Sequence, residues 1–275
     1  MHEQAIREAY RVWQAGGDLY AGWYAAAREG VEAPAPAPGA PPLAGQLRVA
    51  HSRRWAPGCR VTGTGLAGTI VVTGPDGASR AVSLGDYSVP GRPGRPARTG
   101  DVVVAVARAG GYEAEGWWRA WGGGWDVTSA RPDVTRVYFA VLPHRVLELA
   151  RRLPDALDGA GLAWSLKVAA QPEMLARPDA VVLYVRDADR DAVFALLPPL
   201  ADLVDPAGAV PLAAPLVPGM CWAEDPGTEQ SFGQQRCEVL ADGFAAGGDP
   251  LDTAATAFRA AGLDPDRPHL RGGRR

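Results

Sequence analysis

The sequence predicts an α+β protein: a C-terminal sheet with flanking helices, preceded by a smaller N-terminal region of helix and β-structure. Three observations carry this. Residues 3–28 place apolar side chains at helical spacing. Residues 46–127 hold short β-type runs cut by Gly-Pro, Asp-Gly and Pro-Gly turns. Residues 134–217 alternate apolar runs of strand length with helical segments. A hydrophobic content of 47% over 275 residues supports a sizeable core, and the length fits one large domain or one domain with an appendage.

Taken in order, Ala5, Ala9, Val12, Trp13, Leu19 and Trp23 form the apolar stripe of an N-terminal helical segment, 1–31. Gly16-Gly17 divides it into two helices. Residues 32–45 form a linker rich in Pro and Ala, extended and mobile. Runs at 46–50, 59–63, 68–73, 79–84, 101–107 and 112–119 make 46–127 a small antiparallel sheet or barrel. Trp117, Trp118, Trp121 and Trp125 surround Gly122-Gly123-Gly124. The cluster reads as core packing around a glycine turn or as a peptide-binding surface, since aromatic residues anchor interfaces. From 128 to 275 the pattern is strand 134–141, helix 143–153, strands 162–169 and 180–186, helix 188–203, strand 211–217, loop 218–235, and helices 236–246 and 251–261.

Composition excludes several functions. The net charge is −3 and the arginines are scattered, apart from the terminal Arg271-Gly-Gly-Arg-Arg, so no basic field suits nucleic acid. No apolar run approaches a membrane span. Met1-His2-Glu3-Gln4 opens a polar amphipathic helix rather than a signal peptide. Cys59, Cys221 and Cys237 are odd in number, lack metal spacing and fit reduced thiols in a cytoplasm. The four histidines form no ligand pattern, so no zinc site is expected. No cofactor is implied.

Among 28 Lys and Arg residues one is lysine, Lys167, inside the apolar run Leu162-Ala163-Trp164-Ser165-Leu166-Lys167-Val168-Ala169. Arginine cannot lose its proton near neutral pH, whereas a desolvated lysine can. An amine kept here is either drift or a base or imine-forming nucleophile. Strand alternation sharpens the choice. In 134–141, Val137, Phe139 and Val141 share one face, and Arg136, Tyr138 and Ala140 the other. In 162–169, Ser165 and Lys167 lie opposite Trp164, Leu166 and Val168. In 180–186, Val182, Tyr184 and Arg186 lie opposite Val181, Leu183 and Val185. If the three strands are neighbours, Arg136, Tyr138, Ser165, Lys167 and Tyr184 converge. A solvated antiparallel face would also be polar, but such a face ordinarily carries Thr, Glu and Lys rather than tyrosines and alanines.

Two loops add to this. In Ala176-Arg177-Pro178-Asp179, Pro178 restricts Arg177 to extended backbone and aims its guanidinium along the strand edge. In Ser231-Phe232-Gly233-Gln234-Gln235-Arg236, Ser231 can cap the following helix. Arg236 in the first turn of that helix opposes the macrodipole and calls for an anion, and a helix N-terminus with arginines makes a phosphate site. Arginines that bind phosphate would also depress a lysine pKa by like-charge repulsion. A neutral amine that removes a carbon-bound proton beside a phosphate leaving group describes β-elimination from phosphoserine or phosphothreonine.

The pieces VYFAVLP, SLKV, ARPDAVVLYV, PGMCWAEDP, SFGQQR and GLDPDRPHL, in this order over about 115–270, resemble the HopA-type effector family. Its actinobacterial members accompany class V lanthipeptide and thioamitide genes. More remotely they resemble injected phosphothreonine lyases and the lyase domains of lanthipeptide synthetases. The resemblance implies a phosphothreonine-lyase-like sheet, with Lys167 as base and Arg177 and Arg236 on phosphate. It implies that Tyr184 lies near the site and that Arg136 and Tyr138 stand where a Lys-x-His pair stands in the injected lyases. The acid would then be Tyr138, a phenol whose pKa nearby cations lower, or His144 at the start of the next helix. Ser231 joins the substrate-binding set.

The reading is a metal-independent lyase acting on the phosphorylated precursor peptide supplied by a separate Ser/Thr peptide kinase, since no nucleotide-binding loop is present. The alternative is a non-catalytic phosphopeptide- or leader-binding scaffold partner of such a kinase. A pyridoxal-phosphate enzyme would also use a lysine, but no glycine-rich phosphate loop accompanies Lys167.

Overall fold

The computed structural model describes residues 2–34, 39–50, 55–65, 69–75, 77, 79–82, 87–92, 95–106, 111–122, 125 and 133–272. The middle of the Pro/Ala linker, Gly123-Gly124, and parts of the runs at 68–73, 79–84 and 101–107 lie outside these residues.

α1 spans His2–Gln14, with Glu3 in its first turn and Arg11 in its last, as the macrodipole favours. Gly16, at φ 76, ends it. The carboxylate of Asp18 accepts from the Ala21 amide at 2.6 Å and opens a π-helical turn, Tyr20–Tyr24. The predicted break at Gly16-Gly17 is therefore where the helix divides. α2 spans Leu43–Ala50, where 46–50 suggested a strand. A short apolar run fits either state, and Leu47 decides for helix by burying completely in the main core, where α2 packs on α3 (Val146–Gly159).

The first sheet contains β1 (Trp55–Thr64), β2 (Ile70–Thr73), β3 (Ser79–Val82), β4 (Tyr87–Ser88) and β5 (Val102–Val106). All pairs are antiparallel, in the order β3-β2-β1-β5-β4. Its own core gathers Cys59, Val61, Val72, Val82, Tyr87 and Val103.

The second sheet contains β6 (Gly111–Ala114), β7 (Trp117–Gly122), β8 (Val134–Phe139), β9 (Trp164–Ala169), β10 (Val181–Arg186), β11 (Ala214–Val217) and β12 (Met220–Glu224). Its order is β11-β12-β8-β10-β9-β7-β6, again antiparallel throughout. The run 112–119 proves to be a hairpin, turning at Glu115 and Gly116, which both have positive φ. That hairpin pairs onto β9 and extends the C-terminal sheet. β12 lies within the segment read as a loop, 218–235, paired to β8 from Met220 to Glu224. The helical stretch 188–203 is α4 (Arg190–Ala195) between 3-10 turns at Asp187–Asp189 and Pro198–Leu203, because Pro198-Pro199 cannot continue an α-helix.

One face of this sheet packs Val137, Phe139, Leu166, Val168 and Leu183 against α3 and neighbouring turns. The other face, through Tyr138, Val182, Cys221 and Ala223, meets α1, α5 (Phe232–Ala245) and α6 (Pro250–Ala260). α5 begins at Phe232, earlier than its predicted start. Ser231 caps it in a complete capping box with Gln234.

Arg28 fixes the N-terminal segment to this body. Its guanidinium donates to the carbonyls of Ala140, Val141, Leu175 and Ala176 at 2.6–3.1 Å and to the Asp205 carboxylate at 3.1 Å. No lysine could satisfy that planar set. Replacing Arg28 with Ala removes five hydrogen bonds and the cation that pairs with Asp205, and should cost about 3–5 kcal/mol. Chemical denaturation of the variant should show it, with Arg28→Lys giving little rescue.

Candidate active site

Strand pairing builds the site in two rows on one face of the second sheet. One row runs Arg119, Lys167, Val182, Tyr138 and Cys221 across β7, β9, β10, β8 and β12. The next runs Trp121, Ser165, Tyr184, Arg136 and Ala223. The three strands predicted to converge are indeed neighbours. α1, the π-helical turn and α5 cover the Tyr138 end. What stays open is a cleft of ≈ 910 Å³ lined by Lys167, Arg119, Arg136, Ser165, Tyr184 and Trp117, with Tyr20, Ser231 and Gln234 at its border.

Lys167 is largely buried, and its Nζ lies 3.8 Å from the centre of the Trp117 ring. Burial first, then the positive charge of Arg119, with smaller contributions from Arg136 and Arg177, bring its pKa down to about 8 against the pull of Asp179. The like-charge effect anticipated from the arginines is present, and desolvation exceeds it.

The arginines separate into distinct roles. Arg136 lines the cleft, with Nε and Nη2 on Asp225 at 2.7 and 2.6 Å and its guanidinium 5.3 Å from the Tyr184 ring. Burial opposes its charge, but Tyr184, Tyr138 and Asp225 outweigh that and raise its pKa. Arg177 has the extended backbone that Pro178 demands, at φ −69 and ψ 148. Its guanidinium grips Asp179 with two bonds of 2.8 Å and packs 5.3 Å from the centre of Trp117, behind the cleft lining. Arg236 does not reach the cleft. Helix α5 starts four residues before it, and its fully buried guanidinium donates to the carbonyls of Pro268 and Leu270, both at 2.8 Å, and to Gln235. Those carbonyls, rather than an anion, answer its position near the helix start. Burial lowers its pKa to about 10.

The two acid candidates are both displaced. Tyr138 is buried beside the Tyr24 hydroxyl, without a well-formed hydrogen bond, and packs on Phe232. Burial raises its pKa, more than Arg136 lowers it, so the anticipated lowering does not occur. Gly233 permits this seal, because a Cβ there would collide with the Tyr24 ring. His144 is exposed in the 3-10 turn Pro143–Arg145 and does not line the cleft. Tyr184, half-buried, shares the cleft with Lys167, and Tyr20 is a second phenol at its border. Ser231 serves both as cap and as cleft wall.

Sequence reasoning missed Arg119, Asp225, Asp179 and Tyr20. Alternation in Trp117-Trp118-Arg119-Ala120-Trp121 places Arg119 with Trp117 and Trp121, but nothing local says which strand lies beside it. Of the tryptophan cluster, Trp117 and Trp118 both join the main core, and Trp117 also lies against Lys167.

Lys167 should cost stability at neutral pH. Its folded pKa of about 8 lies below the ordinary 10.5, so the unfolded chain binds more protons between those values and stability rises with pH across that window. At pH 7 Lys167→Met should therefore be more stable than the parent, by ~1–3 kcal/mol. Denaturant midpoints at pH 7 and 10 should show the difference shrinking as pH rises.

Comparison with known proteins places the fold. No curated protein matches the chain. The effector protein from Pseudomonas syringae pv. tomato strain DC3000 aligns over 99% of this chain and 98% of its own, at 17% identity and a TM-score of 0.56. The effector protein from Pseudomonas syringae pv. syringae strain 61 aligns over 98% and 96%, at 19% identity and 0.57. At such identities the likeness is one of fold, and it includes the N-terminal helix and the five-stranded sheet. A profile of the HopA1 effector protein family matches residues 123–270, more than half of the chain and the part that carries Arg136, Lys167, Arg177 and Tyr184. The chain belongs to the HopA1 effector protein family.

Proposed function

We propose that this protein is a metal-independent lyase that eliminates phosphate from phosphoserine or phosphothreonine in a ribosomally made precursor peptide. The product is dehydroalanine or dehydrobutyrine, in lanthipeptide or thioamitide biosynthesis, and a separate cytoplasmic peptide kinase supplies the substrate. One observation carries the reading: an amine with a pKa of about 8 in a cleft that also presents Arg119 and Arg136.

In this reading Lys167 Nζ takes the α-proton. The electrons of that C–H bond form the Cα–Cβ double bond, and the Cβ–O bond breaks with its pair leaving on phosphate. Arg136 keeps N–H donors beyond the two on Asp225 and can meet a phosphate oxygen. Tyr184 and Ser231 offer hydroxyl donors to the leaving group. The phosphomonoester, whose second pKa is about 6, is a dianion at the pH where Lys167 is neutral, so its departing oxygen takes a proton or strong hydrogen bonds as the Cβ–O bond breaks. With Tyr138 buried and His144 outside the cleft, Tyr184 can supply them.

A second reading has a specific observation in its favour. Asp225 and Asp179 already neutralise Arg136 and Arg177, two of the arginines expected on phosphate. A phosphopeptide- or leader-binding scaffold that assists a kinase could keep such a cleft without turnover.

Mass spectrometry of a phosphorylated precursor peptide separates the two. The parent protein should remove ~98 Da per site, and Lys167→Ala should abolish this, because the base is gone. Retention of phosphate by the parent, with the peptide bound, would favour the scaffold. The rate of elimination should also climb with pH through about 8, as the Lys167 amine loses its proton.

A further inference from the structure

We propose that Arg119 and Lys167, facing each other across β7 and β9, form the anion site that receives the substrate phosphate. The assignment of that anion as substrate rests on the lyase reading; the anion site itself is testable without turnover.

The two residues are a direct register pair, so their Cβ atoms lie about 4.5–5.5 Å apart. Like charges opposite one another on a sheet are destabilising, yet here both side chains are partly buried and line the same cleft. Among the described residues neither has a carboxylate in an ion pair with it. Glu115 and Glu229 also line the cleft, but both are exposed and neither bridges to Arg119 or Lys167. The other arginines expected at the site are engaged: Arg136 by Asp225, Arg177 by Asp179, Arg236 by backbone carbonyls. A cation pair that no carboxylate contacts directly among the described residues, in a cleft that admits a ligand, is suited to a phosphomonoester dianion.

Arg119 then has two effects. Unliganded, its charge is the largest electrostatic influence holding Lys167 toward the neutral amine. With a phosphate bound, it holds the leaving group beside that amine. After elimination the abstracted proton resides on Nζ as ammonium, next to the released phosphate. Inorganic phosphate should therefore bind as product and inhibit. Arg119 precedes the segment matched by the family profile, 123–270, so this half of the site comes from the β6–β7 hairpin ahead of that segment.

Because Lys167 is the only lysine, an amine-directed acylating reagent reports on one side chain, read by peptide mass spectrometry. The parent should be acylated with a midpoint near pH 8, and inorganic phosphate should protect it. Arg119→Gln should move the midpoint upward and weaken phosphate protection on the order of tenfold. Arg119→Lys should keep the midpoint but protect less, since an ammonium lacks the fork geometry. That variant also guards against a fold defect in Arg119→Gln, and acylation is followed in fully folded protein as judged by thermal melting. Unchanged midpoint and protection in Arg119→Gln, or no phosphate protection of the parent, would overturn the proposal. Protection in the parent without any elimination from phosphopeptide would remove the lyase reading and leave the anion site standing.

Discussion

The site stands on strand alternation locked by register. Unbroken pairing runs from Val181 to Val185 against β9 and from Val181 to Arg186 against β8. A slip of one residue would turn every side chain to the other face. It would turn Lys167 and Arg136 toward α3 and leave Leu166, Val137 and Leu183 uncovered on the other face. The cost of uncovering a core that also contains Trp164, Phe139 and Leu149 makes the slip prohibitive. The same alternation that packs one face therefore delivers Lys167, Ser165, Tyr184 and Arg136 to the other.

The second face is divided between packing and chemistry by the N-terminal segment. Arg28 holds that segment against the carbonyls at the end of β8 and before β10. With the chain pinned there, Tyr24 lies over Phe232 and Tyr138, and Tyr20 reaches the cleft wall. Tyr138 thus belongs to the core and Tyr184 to the cleft, although both stand on the same face. Burial decides between two tyrosines that alternation alone cannot distinguish.

Charge is managed by pairing Arg28, Arg136, Arg177 and Arg236 and leaving the amine alone. Guanidinium groups stay ionised in any setting here, so their desolvation must be met by Asp225, Asp179, Asp205 or backbone carbonyls. Lys167 has another response, which is to lose its proton. Its burial against Trp117 and opposite Arg119 makes that response available near neutral pH. An arginine at 167 would have no such freedom, which gives a physical reason for the sole lysine to stand there.

Local sequence is enough for the α+β class, the alternating faces of β8, β9 and β10, the Ser231 cap and the singularity of Lys167. These depend on local periodicity and on residue chemistry, which are written in consecutive residues. The same sequence suggests a strand at 46–50, a loop at 218–235 and a separate β-region around 112–119, where the structure has the helix Leu43–Ala50, the strand β12 and a hairpin docked on β9, because short runs take their state from what they pack against. Which polar groups meet the cleft was settled by long-range packing. Arg236 turned to carbonyls contributed by residues more than thirty positions away, Tyr138 was sealed by a tyrosine from the first helical segment, and Arg119 arrived from a separate hairpin. Each outcome depends on a partner distant in sequence, and side-chain partners of that kind are set by packing rather than by spacing.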